Sequence, residues 1–539
     1  MRDLTTADAD FDPAARWAPP EAEPLVTPSV RALLAQVFGV DAGSGTAAGA
    51  PAEAVPVAPP ALSAEALAAL RGAVGAEHVR IDPEARARHA NGMSYLDLVR
   101  RGHGAPPPPD AVVLPASAGE VRAVLQACTA HRVAVVPFGG GTSVVGGVAP
   151  ERGPFSAVVA LDLRRLDRLV ELDDVSWTAT LEAGLTGPRA EELLAERGFA
   201  LGHVPQSFER ATIGGFAATR SAGQLSTGWG RFDALVERLH AVTPAGDLRL
   251  GRAPGTAAGP DLRQLLLGSE GAFGVITEVT VRVRPLPELR RHEGWRVPDL
   301  ATGLSALRAL VQRGPAPDLA RLSDEVETAM GVATAGEGEA VGGGCLLLCG
   351  WEGAADDVAR RADAAAALLR DAGAAPLGEP AAAAWRHGRF RAPRLRDELL
   401  PAGMLVETLE TATTWRDLAG LHAEVGRRLA AALEGSSPLV SCHVSHLYRS
   451  GASLYFTVLA RRDDADPAGQ WQRAKAAALE AITAAGATVT HHHAVGADHA
   501  PWLAAEVGDL GVEVLRAVKA RLDPAGILNP GKLLPPGAG

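Results

Sequence analysis

Lysine is nearly missing from this 539-residue chain, occurring only at Lys475, Lys519 and Lys532, so its 52 basic residues are almost all arginine. Set against 63 acidic residues, this leaves a formal net charge of −11. A nucleic-acid binder is thereby excluded, since phosphate neutralisation needs a basic surface. Cysteine is scarce: Cys128, Cys345, Cys349 and Cys442 are too few and too scattered for a disulfide framework, which fits a reducing compartment. Although 47% of residues are hydrophobic, no uninterrupted apolar run reaches the roughly 18 residues of a membrane-spanning helix. The stretch Met1–Asp8 is polar and acidic and lacks the basic-then-apolar pattern of a secretory signal, and Pro535–Gly539 carries no peroxisomal or retention signal. A cytoplasmic location is therefore expected. Arginine in place of lysine, with abundant Ala, Gly and Pro, has the bias of a GC-rich bacterial genome and says little about function. Tyrosine is rare too, present only as Tyr95, Tyr448 and Tyr455.

What is present begins with alternating strand and helix signals. The length allows two or three domains, each with its own core. One helix is predicted over Ser29–Phe38, followed by an Ala/Gly/Pro-rich linker over 42–61. Ser117-Ala118-Gly119-Glu120 reads as a capping box, and Val121, Val124, Leu125 and Cys128 then recur at helical spacing. Val133–Val136 follows as a buried strand. A second unit has a strand at Thr178–Ala183 and a helix over Pro188–Arg197 closed by Gly198. An apolar-alternating run spans Val275–Val283, and further strands are read at Cys345–Cys349 and Leu454–Val458, with Ala-rich helices between. The pattern is that of an α/β or α+β protein without internal repeats.

Two motifs carry chemistry. Pro137-Phe138-Gly139-Gly140-Gly141-Thr142-Ser143 follows a strand and offers backbone N–H groups where no side chain obstructs them, a natural cradle for a pyrophosphate. No Lys-Ser/Thr follows the glycines, so it is not a Walker loop, and Val144 occupies the third glycine position of the dinucleotide fingerprint. By itself the loop reads equally as a glycine-rich turn. The second motif is His491-His492-His493, followed by Ala494-Val495-Gly496. A polar surface turn, or a metal site completed by Asp498 and His499, is its alternative reading. In an extended segment, however, His491 and His493 point one way and His492 the other, which makes three-fold ligation awkward. On the strand around Tyr455, Tyr455 and Thr457 share one face while Leu454, Phe456 and Val458 share the other.

The glycine loop resembles the pyrophosphate loop of vanillyl-alcohol-oxidase-type, or PCMH-type, FAD-binding flavoproteins. Three more segments look like that superfamily's cofactor contacts, in the same order. They are Gln206-Ser207-Phe208-Glu209-Arg210-Ala211-Thr212, Thr219-Arg220-Ser221-Ala222, and Glu270-Gly271-Ala272-Phe273-Gly274-Val275-Ile276, and His203 joins them. Some members attach FAD through a histidine beside the loop. Here Phe138 stands there and His131 precedes the strand, so the resemblance implies non-covalent FAD.

Over most of its length the chain resembles the alkylglycerone-phosphate synthase family. The resemblance rests on Val37-Phe38-Gly39-Val40, Arg88-His89-Ala90-Asn91-Gly92, Gly451–Phe456 and His491–Gly496. The tail Asp523–Lys532 is shared more widely and discriminates little. An α+β fold is implied: a PCMH-type FAD-binding domain of two subdomains and a cap domain with an antiparallel sheet. The expected division is 1–105, an N-terminal helical segment with its linker; 106–288, the FAD-binding domain; 289–490, the cap; and 491–539, a C-terminal segment packing back on the FAD domain. The implied reaction exchanges the acyl group of acyl-dihydroxyacetone phosphate for a long-chain alcohol, through a flavin N5 adduct and without net redox change. Its partners are a lipid phosphate and a long-chain alcohol, with peripheral membrane contact and a homodimer as further expectations.

By the resemblance Tyr455 is the acid/base at the substrate's C1, and His491, His492 and His493 supply the environment that favours its phenolate. Arg321 and Arg396 match positions linked to activity and are expected to bind substrate; by itself, in so arginine-rich a chain, each reads more readily as a surface ion pair. The departures are Ala494 where the synthases have Gly, and Gln206 where their FAD segment often has Asp. The rival reading is an FAD-dependent 2-hydroxyacid oxidase or dehydrogenase. Its metal-site motifs are replaced here by His443-Val444-Ser445-His446-Leu447-Tyr448 and by the three histidines. A flavin-binding protein without turnover is the third alternative.

Overall fold

Trp17 and residues 25–40, 57–100, 107–335 and 343–536 are described by the computed structural model. Most of the linker expected over 42–61 lies outside these residues. The first sheet is built on the strands Val133–Phe138 and Ala157–Asp162, which pair in parallel, with Ala111–Val113 parallel on the other side and Val79–Arg80 at the edge. Their near-continuous apolar sequences suit strands buried on both faces. The crossover helix Ala118–His131 buries Val121, Val124, Leu125 and Cys128, the predicted face. Ser117 caps it by accepting the Glu120 N–H at 3.1 Å, and Glu120 reaches back to the N–H of Ala116 at 2.8 Å, one residue beyond a standard box.

The second sheet is antiparallel, in the order Leu169–Asp173, Thr178–Glu182, Val275–Arg282, Val236–Thr243, Gly246–Leu250. The helices Gly187–Ala195 and Ile213–Thr219 share its apolar cluster through Ala190, Leu194, Ile213 and Phe216.

The largest sheet has seven antiparallel strands. Toward one end of it Leu439–Leu447 and Gly451–Arg461 lie side by side, with Met404–Thr414 as the edge strand. The helices Leu300–Arg313, Ala355–Asp371, Leu418–Ala432 and Pro467–Ala484 share one core with the apolar face of this sheet. Leu454, Phe456 and Val458 are buried in that core, while Tyr455 and Thr457 face the opposite side, as the alternation predicts. Sheets with helices segregated to one face make this an α+β protein. The C-terminal segment returns to the first sheet: the Val135 N–H donates to Ile527 O at 2.8 Å and the Asn529 N–H to Val135 O at 2.8 Å.

Candidate active site

A cavity of about 500 Å³ runs from the glycine loop to the polar face of the large sheet. All seven loop residues from Pro137 to Ser143 line it. Among the described residues, the N–H groups of Gly139, Gly140, Gly141 and Thr142 make no hydrogen bond. Four unsatisfied donors beside a cavity are the mark of a waiting anion. The glycines are dictated by close packing: a Cβ on Gly139 would lie 2.4 Å from Thr212 Oγ1, and one on Gly140 only 2.0 Å from Arg210 O. The loop is thus held open by the backbone of 210–212 pressing on its back. These residues fit the pyrophosphate of FAD.

The other expected cofactor residues divide into two groups. Gln206, Ser207, Ala211, Thr212, Thr219, Ser221, Ala222, Glu270, Gly271, Gly274, Val275 and Ile276 line the cavity. His203, Phe208, Glu209, Arg210, Arg220, Ala272 and Phe273 do not. His203 is buried against Phe216 and Phe232, with Nε2 3.1 Å from Ser221 Oγ, so it supports a lining residue from behind. Phe208 stacks on Phe390, Glu209 lies 3.7 Å from Arg394, and the Arg210 guanidinium covers the Trp17 ring. Arg220 donates to Leu267 O at 2.9 Å, and Ala272 and Phe273 belong to the core. Local sequence places these residues beside the cofactor contacts, but side chains that alternate along a strand or loop cannot all face one ligand.

Across the large sheet one row of paired residues makes the chemical end of the cavity. Tyr455 stands between His443 on one neighbouring strand and Glu410 on the other. Directly paired residues share a face, so all three side chains project together. The Tyr455 ring stacks on His443 with centroids 4.8 Å apart, lies parallel to His492 at 6.0 Å and meets His493 edge-on at 5.4 Å. A register shift between Val444 and Leu447 adds His446 to His443 and Ser445 on the cavity wall.

Glu410, absent from the sequence reading, organises the histidine run. Its carboxylate accepts the N–H groups of His491, His492 and His493 at 2.7, 3.1 and 3.0 Å, and the Thr490 hydroxyl at 2.6 Å. Burial opposes its ionisation, but the neighbouring histidines and the Thr490 bond hold it well below the usual carboxylate range. Glu410→Gln would put an amide N–H₂ among donors. It is expected to destabilise the fold by about 1–3 kcal/mol, the cost of an unsatisfied buried donor, read as a lower denaturation midpoint at unchanged FAD content.

His492 and His493 line the cavity; His491 does not. Instead His491 Nε2 lies 2.5 Å from the Tyr448 hydroxyl and its Nδ1 lies 3.0 Å from His492 Nδ1. Tyr448, not Tyr455, is therefore the tyrosine bonded to the run. Burial works against the cationic environment that a Tyr455 phenolate needs. Burial, together with the neighbouring His492, pushes His491 and His493 down to about 3. Burial also lowers His492. Tyr455 is pushed up to about 12, again by burial, with a Thr408 hydrogen bond opposing. Burial thus works against charge on the phenol and on the imidazoles alike, while the Glu410 carboxylate opposes it at the histidines. Closely packed buried imidazoles cannot all carry charge, which weighs against the phenolate support that the resemblance implies. Neither Asp498 nor His499 joins the run, since Asp498 pairs with Lys475 at 2.8 Å and His499 Nδ1 lies 2.8 Å from Ala494 O. Nitrogens of His446, His491 and His492 do converge within 4.8 Å of one another.

Arg321 and Arg396 both line the cavity, yet both are already engaged. Arg321 donates through Nη1 to His443 Nε2 at 3.0 Å and through Nη2 to Glu327 at 3.0 Å. His443 Nδ1 in turn lies 2.9 Å from Glu327 Oε1, which fixes the neutral tautomer with hydrogen on Nδ1. Arg396 donates to Met93 O at 2.5 Å and lies 3.6 Å from the buried Glu407. Tyr448 and Glu410 carry no local signal, because each meets the histidine run across a long stretch of chain; Glu327 likewise reaches His443 from far away in sequence.

Residues 109–251 match the family model of an FAD binding domain, and residues 286–533 match that of the C-terminal domain of FAD linked oxidases. Fold and site thus define an FAD-dependent enzyme. The chain is 32% identical over 506 residues to the alkyldihydroxyacetonephosphate synthase of Trypanosoma brucei brucei, spanning 88% of this chain and 82% of that one. A solved alkyldihydroxyacetonephosphate synthase superposes with a TM-score of 0.80 at 27% identity, covering 95% of this chain and 94% of that one. The chain belongs to the alkyldihydroxyacetonephosphate synthase family. Substrate-bound p-cresol methylhydroxylase, at 16% identity and a TM-score of 0.69 over 87% of this chain and 96% of that one, shares the fold alone.

Proposed function

We propose that this enzyme replaces the acyl group of acyl-dihydroxyacetone phosphate with a long-chain alcohol, releasing a fatty acid, with no net redox change. One observation carries the reading: Tyr455, His492 and His493 open on the cavity that begins at the pyrophosphate cradle. FAD, when bound, supplies the redox-active ring around which such an exchange is organised. The protein's share is to position and to move protons. Neutral imidazole on His492 or His493 is the proton acceptor, Tyr455 Oη holds the proton near the reacting carbon, and Glu410, 3.5 Å from His492 Nδ1, offsets the charge that arrives there. FAD is held without a covalent bond. His89, which packs tilted against Phe138 of the loop, has both ring nitrogens engaged, by Ala85 O and Asp162. No described helix is long and apolar enough to cross a membrane. We propose a cytoplasmic enzyme that draws its lipid by peripheral contact.

The test is anaerobic mixing with palmitoyl-dihydroxyacetone phosphate and hexadecanol. Fatty-acid release and ether product are expected with no electron acceptor and in the presence of chelator. Acceptor-dependent, chelator-sensitive oxidation of a 2-hydroxyacid, with no fatty acid released, would replace this reading by the hydroxyacid enzyme.

A further inference from the structure

We propose that Arg389 anchors the phosphate of the substrate and thereby sets the enzyme's preference for an anionic head group. The inference rests on the synthase reading for the identity of the phosphate, but not for the existence of the anion site.

In a chain of net charge −11, five arginines fall between positions 386 and 396: Arg386, Arg389, Arg391, Arg394 and Arg396. This basic segment is fastened to the cofactor-binding half by three contacts. Gln206 Nε2 donates to Arg389 O at 2.8 Å, Phe208 stacks on Phe390 with centroids 6.3 Å apart, and Glu209 lies 3.7 Å from Arg394. Gln206 is the residue that stands where an Asp is common, and only an amide can donate that first bond. The departure noted in the sequence therefore has a use: it fixes the backbone of Arg389.

The five guanidinium groups are not equivalent. Arg386 and Arg391 are exposed, Arg394 faces Glu209, and Arg396 is spent on Met93 O and Glu407. Arg389 lines the cavity, is half-buried, and makes no ion pair or side-chain hydrogen bond among the described residues; its guanidinium carbon lies 4.9 Å from the Phe390 ring centre. Burial draws its pKa down. Glu352 opposes this, and Arg386 and Arg290 add to it. Glu352 is already shared, lying 3.7 Å from Arg284 and 3.4 Å from Arg290. A partly desolvated guanidinium without a counter-ion is costly, and a phosphate offers it two parallel charge-assisted hydrogen bonds. Arg321, by contrast, has both terminal nitrogens engaged inside the protein.

The experiment compares the FAD-loaded wild type with Arg389→Ala, Arg389→Lys and the exposed control Arg386→Ala. Inorganic phosphate binding is measured by calorimetry and turnover by fatty-acid release. Arg389→Ala is expected to weaken phosphate binding and to raise KM for acyl-dihydroxyacetone phosphate by about 10–100-fold, the range for a hydrogen bond to a charged group. Its kcat and its KM for hexadecanol should stay within about twofold on the same reasoning. Arg389→Lys should recover part of the loss and Arg386→Ala should match the wild type. Unchanged phosphate affinity and KM in an FAD-loaded Arg389→Ala protein would overturn the assignment while leaving the synthase reading intact. Loss of phosphate binding in a protein that never releases fatty acid would support the anion site and count against the synthase reading alone.

Discussion

Tyr455→Phe is expected to lower turnover by about 10²–10⁴-fold, the range for loss of a general acid or base, while the protein keeps its FAD. The substitution removes one oxygen from a ring already held by His443, His492 and His493, so packing and cofactor content should not change. Single-turnover fatty-acid release measures the loss. The sign of the pH dependence follows from the shifts. Tyr455 is raised to about 12 and His493 lowered to about 3, so neither changes charge near neutrality and the wild-type rate should be flat there. A rate limb near about pH 6.5, where a free imidazole titrates, would show that the histidines work in charged form. An FAD-loaded Tyr455→Phe protein with wild-type turnover would remove Tyr455 from the chemistry.

Gly140→Leu is expected to yield colourless protein. The obstacle is not the cofactor alone: a Cβ at this position lies 2.0 Å from Arg210 O, 2.7 Å from its carbonyl carbon and 2.9 Å from Ala211 Cα, all backbone atoms. The loop must leave the 210–212 segment, and its four free N–H groups lose their common direction. Even Gly140→Ala should lower the ratio of flavin to protein absorbance. From the wild type, acid precipitation should release all the yellow colour into the supernatant, because no covalent bond holds it. A Gly140→Leu protein fully loaded with FAD would show that the cradle lies elsewhere.

Much of this architecture was legible because it depends on short-range patterns. The helix Ala118–His131 and the strands Val133–Phe138 and Val275–Arg282 follow from periodicity and caps within a few residues. The outward face of Tyr455 follows from alternation alone. The glycine loop was visible for the same reason, since orphan N–H groups after a strand are a local property of the backbone. The explanation for Gly140 was not, because the atoms that forbid a side chain there belong to Arg210 and Ala211.

A pyrophosphate cradle, a tyrosine strand and a histidine run can each be read from the linear chain, as can a charge balance unsuited to nucleic acid. What they are to one another was set by folding. Strand register, with Tyr455 between His443 and Glu410, turned three separate segments into one row. Burial set the direction of the pKa shifts: it lowers the histidines and raises Tyr455, against the phenolate that the resemblance implies. Partner choice among the arginines likewise depended on groups brought from far along the chain, His443 for Arg321 and Met93 O for Arg396, while the Arg389 guanidinium has no hydrogen-bond or ion-pair partner among the described residues. Charge and hydrogen bonding depend on distance in space, and distance in space is what a linear pattern does not carry.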